Sequence, residues 1–88
     1  MLFNERELKV VIFDLDMITT SNDSFILVLN RIFKCGIADN FCSQVLGVSL
    51  KTYQNWRKGV YLPHNALRKQ IYKILQNSIK NIFIVRKV

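Results

Sequence analysis

Residues 41–63, FCSQVLGVSLKTYQNWRKGVYLP, hold the spacing that decides the fold. Two short helices that cross at a steep angle need a small residue inside the first, so that the second can come close. They also need a glycine where the connecting turn goes left-handed, because only glycine takes positive φ without a steric cost. Ser43 and Gly47 stand at those two points. Ser49, just beyond the turn, offers a hydroxyl cap to the second helix. Tyr53 and Trp56, at i and i+3, supply a stripe that pins this helix to the rest of the domain. Gly59 ends it, and Pro63 suits the start of another. The spacing predicts a helix-turn-helix.

Outward from that stretch, residues 24–77 read as four consecutive helices with short breaks. Ser24 is the expected cap of the first, whose Phe25, Leu29, Ile32 and Phe33 recur at helical spacing, with Gly36 just past its end. Ala38 or Asp39 opens the second, with Phe41, Cys42, Val45 and Leu46 as its apolar positions. The fourth helix carries Leu67, Ile71, Ile74 and Leu75 on one face. Arg68, Lys69 and Lys73 lie on its other face, as a solvated basic strip. The chain therefore reads as an N-terminal extension over 1–23, a helix-turn-helix domain over 24–77 and a strand over 78–88. Residues 79–88, IKNIFIVRKV, are rich in β-branched side chains, and residues 8–13, LKVVIF, also read as a strand. Asp14 and Asp16 would face Arg86 and Lys87 across the pair. A helix is the alternative at the N-terminal end, since Leu8, Val11, Ile12 and Leu15 are spaced for one and Asn4 with Glu7 forms a capping box. The fold class is mainly α with short strands at both ends.

Eighty-eight residues, half of them apolar, make one small domain whose natural routes to stability are a helical core or a dimer. The net charge of +7 is unevenly placed. Residues 1–24 hold Glu5, Glu7, Asp14, Asp16 and Asp23 against Arg6 and Lys9, a net of −3. Residues 25–88 hold eleven Lys or Arg against Asp39 alone, a net of +10. The basic part contains the whole helix-turn-helix, as a polyanion-binding face requires. Cys35, Cys42 and His64 are too few for a four-ligand zinc set, and both thiols read as small core residues. No cofactor or metal is expected. No apolar run approaches the roughly 20 residues of a membrane span, and MLFNERELK lacks signal-peptide character, so the expected location is cytoplasmic.

Residues 25–75 resemble the lambda-repressor-like helix-turn-helix family, also called the Cro/C1 or Xre type. The match rests on Ser43, Leu46-Gly47-Val48-Ser49, Thr52-Tyr53, and Trp56-Arg57-Lys58-Gly59 with Pro63. Tyr53 stands where the family usually has Ile or Val, and Ser43 where it usually has Ala. The resemblance implies sequence-specific binding of double-stranded DNA by a small dimeric transcriptional regulator, a repressor, with the helix over 49–58 in the major groove. With Tyr53 and Trp56 turned inward, Leu50, Lys51, Thr52, Gln54 and Asn55 are left to meet base edges. Lys51 suits guanine O6/N7, Gln54 and Asn55 suit adenine N6/N7, and Leu50 suits a thymine methyl. Ser49, Arg57, Lys58 and Tyr61 are the expected phosphate contacts. The homodimer contact would come from the two terminal strands, because a two-stranded ribbon alone is marginal in water.

Three readings compete. Val11-Ile12-Phe13-Asp14-Leu15-Asp16 resembles the first motif of haloacid-dehalogenase-type phosphatases, but the large α/β sheet that chemistry needs does not fit in this length, and no enzyme is expected. An excisionase-like winged helix also has Trp-x-x-Gly-x-x-Pro, yet a β-hairpin should follow, where this chain shows a helical pattern. A helix-turn-helix used for protein–protein interaction or inhibition is the third, with the acidic N-terminal segment able to mask the basic face.

Overall fold

The computed structural model describes the backbone of residues 20–87 and the side chains of residues 20–81, and among these residues four helices account for the regular structure. They are α1 (Asn22–Lys34), α2 (Asp39–Leu46), α3 (Leu50–Lys58) and α4 (Asn65–Lys87). Ser21, not the expected Ser24, caps α1: its hydroxyl accepts the Ser24 N–H at 3.2 Å, and Asp23 sits in the first turn where the helix dipole favours an acid. Phe25, Val28, Leu29 and Ile32 then bury one stripe of α1, and Gly36 at φ 96° turns the chain toward α2.

α2 buries Cys42 and Ser43 and ends at Gly47, which takes φ 72°. A Cβ there would meet nothing within 4 Å, so the need for glycine is one of dihedral angle and not of room. The Val48 N–H returns to the Ser43 carbonyl at 3.0 Å and closes the turn. Ser49 caps α3 as expected, its hydroxyl accepting the Thr52 N–H at 3.1 Å. Tyr53 and Trp56 are the two buried residues of α3. At its far end Gly59 answers two demands, φ 75° and a Cβ position 3.1 Å from Ile26 Cδ1.

α2 packs on α3 and α4, and α3 on α1. The centre of the core is aromatic: the Phe25 ring meets Trp56 edge-on at 6.1 Å and stacks on Tyr72 at 5.8 Å, joining α1, α3 and α4.

α4 differs from the sequence expectation in three ways. His64, two residues before Ala66, accepts the Ala66 N–H on its Nδ1 at 3.1 Å, so the helix starts after His64 and not at Pro63. Its buried face is Arg68, Ile71, Tyr72, Leu75, Gln76 and Ile79, while Leu67 is half exposed. Arg68 is thus not part of a solvated strip. Its Nε donates to the Pro63 carbonyl at 3.0 Å, and its Nη1 to the Thr20 carbonyl at 2.8 Å and Asn22 Oδ1 at 2.7 Å. Finally, the expected C-terminal strand is not there: α4 continues to Lys87, and no strand occurs among the described residues. Ile71, Leu75 and Ile79 repeat every fourth residue and carry the buried stripe past residue 78. Against that tertiary contact the helix penalty of a β-branched residue, at most about 0.7 kcal/mol, is small. The expected strand over residues 8–13, with Asp14 and Asp16 beside it, lies outside the described residues.

Candidate functional site

Burial of Tyr53 and Trp56 fixes the roll of α3, and helical geometry then decides what it turns outward. Lys51, Gln54, Asn55 and Lys58 recur at i, i+3, i+4 and i+7 and form the opposite face. Both lysines are exposed, and the two amides are half-buried between them. Leu50 is 42% exposed at the first position of the helix. Four of the five expected base-contacting residues are therefore side by side on one open surface. Thr52 is set apart on the flank, half-buried.

The flank is occupied by local hydrogen bonding. Ser49 Oγ accepts the Thr52 N–H and donates to Thr52 Oγ1 at 2.8 Å, so its hydroxyl is committed to the cap. After Gly59 the chain reverses and brings half-exposed Tyr61 to the same flank. The Asn55 amide first, and the Thr52 hydroxyl second, donate toward the phenol oxygen and hold it below its ordinary pKa, with Lys51 adding a smaller pull. Tyr61 thus extends the α3 surface by one aromatic hydroxyl that only a sharp turn at residue 59 could deliver.

Arg57 does not belong to this surface. Its Nε donates to Asp39 Oδ1 at 3.0 Å, its Nη2 to Oδ2 at 2.8 Å, and its Nη1 to Asn30 Oδ1 at 3.2 Å. The guanidinium carbon lies 4.0 Å from the Phe33 ring centroid, and the two charged side chains are 15% and 8% exposed. Asn30 Nδ2 in turn donates to the Arg57 carbonyl at 2.9 Å, capping the last turn of α3. Arg57, expected at a phosphate, has these donors turned inward, where they tie α3 to α1 and α2. A signal for this was present, because Asp39 is the only acid after residue 24 and sits in a first helical turn. Lys58 keeps the exposed position expected of it.

Beneath the α2–α3 contact lies a buried polar pair. The Tyr53 hydroxyl has no conventional hydrogen-bond partner and rests beside the Cys42 thiol, a weak donor and acceptor. Burial first, and the neighbouring thiol second, push the phenol well above its usual range. Burial pushes Cys42 up to about 11. Both groups stay neutral at physiological pH, and both cysteines are buried thiols outside any disulfide.

Among the described residues no group of three His, Cys, Asp or Glu is placed to hold a metal ion. Among the same residues no helix is long and apolar enough to cross a membrane. Comparison with protein-family models, curated proteins and solved structures finds no match to this chain.

Proposed function

We propose that this chain is a helix-turn-helix protein that binds double-stranded DNA sequence-specifically and acts in the cytoplasm as a dimeric transcriptional repressor. The observation that carries the reading is the outward face of α3, where Lys51, Gln54, Asn55 and Lys58 lie opposite the buried pair Tyr53 and Trp56. Two amides that can pair bidentately with adenine, flanked by two cations, suit a major groove bordered by phosphates. α2 then crosses the backbone while α3 lies in the groove. Leu50, at the leading end, is placed for a thymine methyl, and Lys51 for guanine. Thr52 reads at the margin. Lys58, Tyr61 and the Ser49 end of α3 meet phosphates, and Arg57 is left out because Asp39 and Asn30 hold it.

A helix follows Pro63 where a winged helix would have a hairpin, which supports the repressor-like form over the excisionase-like one. One recognition helix reads few bases, so two copies on half-sites one turn of DNA apart, about 34 Å, are the working unit. Selection from random duplexes followed by Lys51→Ala and Gln54→Ala tests the proposal. Loss of preference at particular base positions is the expected result. Equal weakening at every position would move both residues to the phosphates, and no retention of duplex at low salt would overturn DNA binding altogether.

A further inference from the structure

The polar groups along one flank of α3 form a chain with a direction. Ser49 Oγ donates to Thr52 Oγ1 at 2.8 Å, which leaves the Thr52 O–H to donate to the Tyr61 oxygen. The Asn55 amide donates to the same oxygen. Two donors fill the lone pairs of the phenol, so its own O–H points away from both, toward an acceptor outside the protein. The turn after α3 brings these groups together. Gly59 at φ 75° lets the Val60 N–H return to the Asn55 carbonyl at 2.9 Å, and Tyr61 follows at once, over Thr52 and Asn55. Those two residues are half-buried although they lie on an outward flank, and Tyr61 itself is 49% exposed.

We infer that Tyr61 decides what Asn55 can read, by holding one of its two amide N–H groups and so committing it to adenine over guanine. The inference rests on the DNA-binding reading above. A free Asn side chain offers one carbonyl oxygen and two N–H donors, and its amide can turn either way. In the major groove adenine presents an acceptor at N7 and a donor at N6, whereas guanine presents two acceptors, N7 and O6. With one N–H given to Tyr61, Asn55 keeps its carbonyl oxygen and a single N–H, the complement of adenine. Guanine would need both N–H groups, and its O6 would face the Asn55 carbonyl. Tyr61 acts on the base through Asn55 and is a positioning residue, while its own O–H goes to a phosphate.

The test uses the duplex that the parent chain selects from random sequences, with each base pair replaced in turn by the other three. Asn55→Ala marks the position that Asn55 reads, as the one whose preference it relaxes. At that position the parent is expected to prefer adenine over guanine by about tenfold, and Tyr61→Phe to cut this to about threefold or less. Elsewhere Tyr61→Phe should weaken binding uniformly, for want of its phosphate donor. Uniform weakening with the adenine preference intact would overturn the inference, and so would an Asn55→Ala variant that relaxes no position. A second measurement needs no DNA. In a spectrophotometric titration of the free chain, Tyr61 should be the first of the three tyrosines to ionise, since burial raises Tyr53 and Tyr72. Asn55→Ala and Thr52→Val should each delay it, and no delay in either variant would remove the cluster and the inference with it. A parent chain that retains no duplex at low salt, yet shows both delays, would overturn the DNA-binding reading and the base preference while leaving the cluster itself in place.

Discussion

Arg57 shows how a residue can match a binding motif and still be spent on the fold. Its guanidinium answers Asp39 through two nitrogens and Asn30 through the third, under the face of Phe33. Removing one member strands the other charge in a site where both side chains are largely covered. Asp39→Asn and Arg57→Ala are each expected to cost about 3 kcal/mol in urea unfolding, with the double variant costing clearly less than the sum. A phosphate-binding Arg57 would instead leave stability unmoved and weaken only DNA binding. Tyr53 makes the opposite case. Its hydroxyl is buried without a conventional partner, so Tyr53→Phe removes a desolvation cost at almost no change in volume. The expected outcome is a stability unchanged or raised by up to about 1 kcal/mol, against a loss of about 3–5 kcal/mol for Tyr53→Ala. A marked loss in the Phe variant would show that the Cys42 thiol is a stronger partner than sulfur normally is. That thiol also titrates usefully. Its folded pKa of about 11 lies above the ordinary thiol value of 9.0, so the folded state holds the proton more tightly than the unfolded chain. The contribution is fully present below pH 9 and is lost as pH rises toward 11. Thermal melts across that range should fall in the parent chain and fall less in Cys42→Ala.

At the scale of the elements, the two capping glycines separate dihedral strain from steric room. Gly47→Ala meets no neighbour and carries only the left-handed penalty, about 1–2 kcal/mol. Gly59→Ala adds a Cβ 3.1 Å from Ile26 Cδ1 and is expected to cost more, because α1 must yield as well. Equal melting temperatures for the two variants would show that Ile26 simply swings aside. Gly47, Ser49, Tyr53 and Trp56 were legible in the sequence because each is set by chemistry within a turn or two: a positive φ, a cap three residues from its donor, a stripe at i and i+3. Arg57 and Arg68 were harder to read, since Asp39 and Thr20 lie 18 and 48 residues from them, and the lone acid Asp39 is the one hint that either arginine is held inside. The tail of α4 misled for a related reason. Ile, Val and Phe favour strands when no partner is specified, whereas Ile79 is wholly buried as the next step of the Ile71–Leu75 stripe. The terminal-strand dimer contact loses its C-terminal member with that strand.

Across the whole molecule the charge division gains a sharper form once the arginines are placed. Arg57 and Arg68 are held inside, so the cations that α3 turns outward are Lys51 and Lys58. On a duplex, each phosphate neutralised releases counterions and contributes about 0.9 to the slope of log affinity against log salt. Lys58→Ala is therefore expected to lower that slope by about one while leaving the preferred sequence unchanged. Lys51→Ala should instead erode preference at a guanine, because its place two residues after the Ser49 cap puts it at the leading end of α3. Asp39→Asn supplies the contrast between the two. It removes the acid that neutralises Arg57 and raises the net positive charge of the domain by one unit, so in a variant that still folds the salt slope should steepen rather than flatten. Titrations of one duplex at several salt concentrations, run on these three variants and the parent chain, read all of this in a single experiment. If Lys58→Ala and Asp39→Asn left the slope where it was, the positive charge of residues 25–88 would be serving something other than phosphates, and a protein surface would become the better-supported partner.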